Sequence, residues 1–69
     1  MIKVGSTVKW KWGKGEAQGK VEKSYTKSVT RTIDGTEVTR NGESGNKALY
    51  IKTDKGDFVL KLESEVEKV

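Results

Sequence analysis

The sequence contains no cysteine, no histidine and no proline. Without cysteine there can be no disulfide framework, no thiolate nucleophile and no zinc site with thiolate ligands. Without histidine, imidazole cannot serve as a metal ligand or as an acid or base in catalysis. These absences exclude most common catalytic and metal-binding arrangements, and we expect no metal site and no cofactor.

Long apolar runs are also absent. The N-terminal residues lack the apolar stretch of a signal peptide, and no segment approaches the roughly 18 apolar residues of a membrane span. We therefore expect a cytoplasmic protein that does not bind membranes. Leu, Ile, Val and Phe together make up 15 of the 69 residues, which is just above the level at which disorder becomes the better expectation. The chain is predicted to fold as one domain, residues 1–69, around a thin core to which tryptophan contributes much of the buried area.

Two strands folded back on each other are predicted near the N-terminus. Apolar and polar residues alternate over residues 7–12 with the period of a strand that has one buried face. Gly13-Lys14-Gly15 supplies the turn, and a second strand runs from about Glu16 to Tyr25. Gly19 within this strand indicates a bulge, a bend or close passage beneath a tryptophan ring. The residues predicted to face the core are Val8, Trp10 and Val21.

A second hairpin is predicted over residues 29–40. Its two-residue Asp34-Gly35 turn is among the strongest local hairpin signals. A type I′ turn at these residues places Ile33 opposite Thr36.

The remaining sequence predicts more strands. Residues 48–53 and 58–62 read as two strands that follow a polar loop at Asn41–Asn46. The chain then ends in either a short helical turn capped by Ser64 or a final short strand. Five to six short strands in so small a chain predict an all-β fold, a closed or nearly closed antiparallel barrel.

Several segments carry a family resemblance, namely residues 5–10 (GSTVKW), Gly15, Gly19 and Val21, residues 29–41 (VTRTIDGTEVTRN) and residues 56–61 (GDFVLK). Over nearly the whole chain they resemble the small bacterial domain called the hypervirulence-associated protein TUDOR domain, with the central hairpin as the most specific part. The resemblance implies an SH3-like, Tudor-type barrel, and it brings no established activity or catalytic residues. Many relatives have a proline before the fourth strand, where this chain has Gly45-Asn46-Lys47.

The first half of the chain is basic. Residues 1–31 contain eight basic and two acidic residues, whereas the rest contains six basic and eight acidic residues. In the predicted hairpin Lys9 and Lys11 project outward beside Lys20, with Lys14 at the tip of the turn. Such a patch can follow a phosphate backbone without sequence preference. The alternative is that these lysines only keep a small domain with a thin core soluble. Lysine, unlike arginine, does not form bidentate hydrogen bonds with bases.

The five aromatic residues divide into two predicted groups. Trp10, Tyr25 and Phe58 are expected in the core, whereas Trp12 and Tyr50 are expected to be the exposed pair. One hypothesis is that Trp12 and Tyr50 line a shallow groove for a peptide or a base. Tudor-type barrels that read methylated side chains do so with three or four aromatic rings around a cation. The alternative is a purely structural role for all five rings.

Arg31 and Arg40 are the only arginines, and the predicted hairpin register places them diagonally on one face. One hypothesis is that they converge on a phosphate or carboxylate. The alternative is that their stems pack on Val29 and Val38 while protein carboxylates pair with the head groups.

Catalysis is not expected. A catalytic acid/base pair needs burial, whereas the carboxylates are expected mostly in turns, in the tail and on solvated faces. Asp54–Asp57 is too short and too poor in ligands for a calcium loop. We predict a non-catalytic binding or adaptor module, a monomer or weak homodimer, whose partner is a protein or peptide. The alternative is weak nucleic-acid binding through the basic first hairpin, and a third reading is a small protein whose dimerisation or solubility role needs no specific ligand.

Overall fold

The computed structural model describes residues 2–33 and 35–69. The described chain is built from strands and one short 3-10 turn, as the sequence predicts. The strands are β1 (Thr7–Trp12), β2 (Gly15–Tyr25), β3 (Ser28–Ile33), β4 (Thr36–Asn41), β5 (Ala48–Thr53), β6 (Phe58–Leu62) and β7 (Glu67–Lys68), with the 3-10 turn at Glu63–Glu65 between the last two.

The strands form two antiparallel sheets. One sheet has five strands in the order β6-β5-β2-β1-β7, and the other consists of β3 and β4 alone. In the larger sheet the last strand returns, after the 3-10 turn, to lie beside the first strand. This is the strand order of an SH3-like barrel. In its described part, the second hairpin forms its own sheet and is an insertion between β2 and β5 in the chain.

The inner face of the five-stranded sheet forms the larger core. Alternation along the strands places one set of buried apolar side chains on this face, and Val66 from the C-terminal segment packs against them. The buried sheet residues of this core are Val8, Trp10, Val21, Leu49 and Ile51. The predicted inward residues of the first hairpin are therefore confirmed.

Gly19 is required where β2 passes β5. A Cβ atom at this position would lie 2.5 Å from the Lys52 carbonyl oxygen and 2.8 Å from the Ile51 Cγ2 atom. The close passage predicted for Gly19 is therefore present, although its neighbour is the β5 strand and not a tryptophan ring. The bulge of β2 lies further along, between Val21 and Lys23.

The inserted hairpin covers the outer face of β5 and β6, opposite the larger core. Its register pairs Ile33 with Thr36 and Arg31 with Val38, as the sequence predicts; Asp34 of the predicted turn lies outside the described residues. Val29 and Val38 point to the sheet and form a second small core with outer-face side chains such as Leu60. The sheet is thus apolar on both faces at β5 and β6, but only on its inner face at β1.

The C-terminal segment contains both of the predicted alternatives, the short helical turn and the final strand. The turn is capped at Leu62, and Ser64 lies inside it, so the prediction of a Ser64 cap is wrong. Its Ser64 N–H donates to Asn46 Oδ1 over 3.0 Å, and Glu63 Oε1 accepts the Lys47 N–H over 2.8 Å. These bonds tie the polar loop after β4 to the end of the sheet.

Candidate functional site

Three of the predicted lysines lie together on the outer face of the first hairpin. In the β1–β2 register Lys9 faces Gln18, Lys11 faces Glu16, and Lys20 faces Thr7. Residues directly opposite each other share a face, so these lysines lie on the side opposite Val8 and Trp10. Lys14 is exposed in the turn between the strands. The structure therefore brings the predicted basic residues together.

The basic surface extends to lysines that the sequence analysis did not identify. Lys52 on β5 lies directly opposite Lys20, and Lys23 lies opposite Tyr50. The β2–β5 register carries no local signal, because the strands are separated by the inserted hairpin and the bulge shifts the alternation. We call Lys9, Lys11, Lys20, Lys23 and Lys52 the outer lysines. They continue the basic surface across three neighbouring strands.

Acidic residues interrupt this surface. Besides Glu16 opposite Lys11, Glu67 of β7 lies opposite Lys9. Beside Lys20 and Lys52 lies a shallow depression of about 380 Å3, which Glu22 and Asp54 also line. The outer lysines therefore make the face basic without making it uniformly positive.

Trp12 lies at the end of β1 and is 73% exposed. Strand β7 pairs with β1 only at Val8 and Lys9, so beyond Lys9 the described chain offers β1 no strand partner on that side. A groove of about 430 Å3 opens next to this edge, between Lys11 and Val66. An exposed indole thus stands beside an incompletely paired strand edge and a groove.

Trp12 and Tyr50 do not line one groove. Trp12 continues the alternation of Val8 and Trp10, whereas Tyr50 alternates with the buried Leu49 and points to the outer face. The two rings belong to opposite faces of the same sheet, and Tyr50 is only partly exposed. The hypothesis of a shared aromatic groove therefore needs correction, although Trp12 is as exposed as expected.

Tyr50 belongs instead to an aromatic group on the outer face. Its ring stacks on Phe58, with ring centroids 4.9 Å apart and planes inclined by 6°. The Arg31 guanidinium carbon lies 5.7 Å from the Tyr50 centroid and 5.4 Å from the Tyr25 centroid. Arg31 also donates a hydrogen bond of 2.7 Å to the Tyr25 hydroxyl. Tyr25 and Tyr50 thus contact a cation, and that cation is the chain's own Arg31.

Arg40 has a separate partner. Its Nε donates to Glu65 Oε1 over 3.0 Å, which links β4 to the 3-10 turn. Partial burial on its own would raise the pKa of the Glu65 carboxyl, but the hydrogen bond from the Leu62 N–H and the interactions with Arg40 together lower this pKa below its usual value. Both arginine head groups are bonded to protein acceptors and do not converge, which counts against the hypothesis of a shared anion.

Groups typical of metal sites are missing from this surface. Residues 2–33 and 35–69 contain no group of three or more Asp or Glu side chains that could hold a metal ion. None of the described residues belongs to a helix with the length and apolarity needed to cross a membrane.

The all-β architecture and the strand order are consistent with a small Tudor-like domain. The family model described as hypervirulence associated proteins TUDOR domain matches residues 5–66. The chain belongs to this family. Neither a curated protein nor a solved structure matches the chain.

Proposed function

We propose that this domain is a non-catalytic module that binds an extended peptide along the open part of β1. The observation that carries the proposal is the 73% exposed Trp12 ring beside a strand edge that β7 leaves incomplete. Exposed aromatic side chains in such positions serve as anchors for partners.

The direction of the backbone groups supports strand addition. The Val69 N–H donates to the Thr7 carbonyl over 2.9 Å, so the Thr7 backbone points toward β7. Backbone groups in a strand alternate between its two sides, and those of Lys9 and Lys11 therefore point the same way. Because β7 pairs with Lys9 and no further, the Lys11 N–H and carbonyl face the groove. A peptide strand that continues β7 can bond to them by β-augmentation.

The side chains along this edge define the peptide. In an antiparallel continuation of β7, one peptide residue lies opposite Lys11 on the outer face, and the next lies opposite Trp12 on the other face. The first position favours a carboxylate, and the second favours an aliphatic side chain that packs on the indole. The expected ligand therefore alternates charged and aliphatic residues, which is also the pattern of Glu65-Val66-Glu67.

The proposal is tested by NMR titration of the isotopically labelled protein with a synthetic peptide of alternating Val and Glu residues. The expected result is a set of shifts confined to Lys9 to Gly13, with weak affinity, near 1 mM or tighter. Trp12→Ala should abolish these shifts, whereas Thr32→Ala on the exposed side of the hairpin should leave them unchanged. A peptide of the same length in which alternate valines are replaced by proline serves as the ligand control, since proline cannot donate to the strand. Equal shifts with the proline peptide would refute strand addition.

A second candidate function is nucleic-acid binding by the outer lysines. It is supported by their position on a single face of three adjacent strands, which suits contact with phosphates. The test is a titration with duplex and single-stranded oligonucleotides at low salt, where charge effects are largest. No shift with any oligonucleotide would exclude this function.

A further inference from the structure

Lys20 and Lys52 lie directly opposite each other on β2 and β5, and both are exposed. Like charges in this position destabilise a sheet. Within the described part of the chain neither ammonium group forms an ion pair. Two adjacent cations that are unfavourable for folding are well placed to bind an anion, because a bound anion offsets their repulsion.

The same row of residues continues to an aromatic ring. Phe58 on β6 lies directly opposite Lys52, so Lys20, Lys52 and Phe58 occupy neighbouring strands on one face. Tyr50 covers one side of the Phe58 ring, and the Arg31 guanidinium lies over the Tyr50 ring. Phe58, which the sequence predicts to lie in the core, is instead partly exposed, and it is the last ring of this group. A planar group can extend the stack at this end.

We infer that this row binds single-stranded nucleic acid, with a base stacked on Phe58 and neighbouring phosphates held by Lys20 and Lys52. The inference rests on the second candidate function and specifies its ligand. A base offers a free face only when it is unpaired, so stacking on Phe58 selects single strands over duplexes. Glu22 and Asp54 at the rim of the adjoining depression repel phosphates and keep the binding weak and sensitive to salt.

The experiment measures binding of a labelled oligothymidine by fluorescence anisotropy. The strand has about 12 nucleotides, which is within the usual number that one such domain covers. The salt concentration is varied between about 20 and 200 mM. Three probes of equal length are compared, namely the oligothymidine, an abasic strand and a duplex. Phe58→Leu should weaken oligothymidine binding about fivefold or more and leave the abasic strand unaffected, whereas Phe58→Tyr should retain the binding. The double variant Lys20→Gln/Lys52→Gln should weaken both single strands. It should also make the slope of log K against log salt shallower by about 1.4, since each phosphate contact on a single strand contributes about 0.7.

The control for net charge is Lys61→Gln/Lys68→Gln, which removes two positive charges at positions that pair with the inner-face residues Leu49 and Val8. This variant should bind oligothymidine nearly as well as the wild type. If the duplex binds as tightly as the single strand and Phe58→Leu changes nothing, the inference is overturned while nucleic-acid binding stands. If no probe binds, the second candidate function fails as well. Retained affinity in the Lys20/Lys52 double variant would also overturn the inference.

Discussion

The Arg31 guanidinium lies over two tyrosine rings and donates to the hydroxyl of one of them. Such a cation gains attraction from both rings, and its Nη1 donates to the Thr30 carbonyl. The position that an external cation would take among these rings is therefore filled by the chain itself. A methylated side chain would have to displace Arg31 and break its hydrogen bond to Tyr25, which makes this aromatic group a structural contact between hairpin and sheet.

Replacement of Arg31 should therefore reduce stability more than replacement of an ordinary surface residue does. We expect Arg31→Ala to lower the free energy of unfolding by about 1 to 2 kcal/mol, through loss of the cation–π contacts and the hydrogen bond to Tyr25. Arg31→Lys should lower the free energy of unfolding by about half as much, because an ammonium group keeps the charge but not the planar stacking. Urea unfolding at neutral pH measures both changes. Thr32→Ala, on the exposed face of the same strand, is the control, and a loss as large as that of Arg31→Ala would contradict the assigned role.

At the scale of elements, local sequence patterns predict the strands and register of the second hairpin but not its position in the fold. The register of β3 and β4 follows from the two-residue turn and the alternation, and both are local signals. Whether the hairpin joins the barrel depends on contacts with β5 and β6, which are distant in sequence. One face of the hairpin carries Val29 and Val38 together with the two arginines. Such a face is compatible both with a hairpin that belongs to the larger sheet and with a hairpin that packs on it separately. The sequence therefore predicted the element and its register, but not its place in the fold.

The contact between Arg40 and Glu65 links the hairpin to the 3-10 turn and should make stability depend on pH. Because the folded state lowers the pKa of Glu65, its contribution is present above the pKa of the unfolded chain, about 4.3, and is lost as the pH falls through the folded-state value. The Glu65 side chain is 35% exposed, so we expect a contribution below about 1 kcal/mol.

The test compares urea unfolding of the wild type and Glu65→Gln at pH 7 and at pH 3. Glu65→Gln should be less stable at pH 7, and the difference should shrink as the pH is lowered to 3, because protonation of the wild-type carboxylate removes the ionised contact. The control is Glu37→Gln, on the outward face of β4 opposite Thr32. Its free energy of unfolding should match that of the wild type at both pH values. A difference for Glu65→Gln that persists unchanged at pH 3 would rule out the ionised contact as its cause.

At the scale of the whole molecule, the candidate sites were predicted only in part. The outer lysines of the first hairpin follow from alternation in β1, and the exposure of Trp12 follows from its position next to the turn. Lys52 joins this surface through the β2–β5 register across the insertion, which the bulge near Val21 interrupts, and Phe58 follows Lys52 through the β5–β6 pairing. The open edge of β1 depends on the length of β7, which local sequence does not determine. Sites assembled by long-range pairing were therefore the ones missed.

The distribution of charge over the whole molecule predicts how its stability responds to salt. The chain carries a net charge of +4, its outer face places Lys20 against Lys52, and the described residues form one ion pair, Arg40 with Glu65. Screening should therefore remove more repulsion than attraction. We expect about 0.2 M NaCl to raise the melting temperature by about 2 to 4 °C, the shift that about 0.5 kcal/mol produces in a domain of this size.

Lys52→Gln should melt higher than the wild type at low salt and respond less to NaCl, while Lys68→Gln should respond as the wild type does. A melting temperature that falls with added NaCl would mean that attractive pairs dominate the surface, and the repulsion assigned to Lys20 and Lys52 would then be wrong.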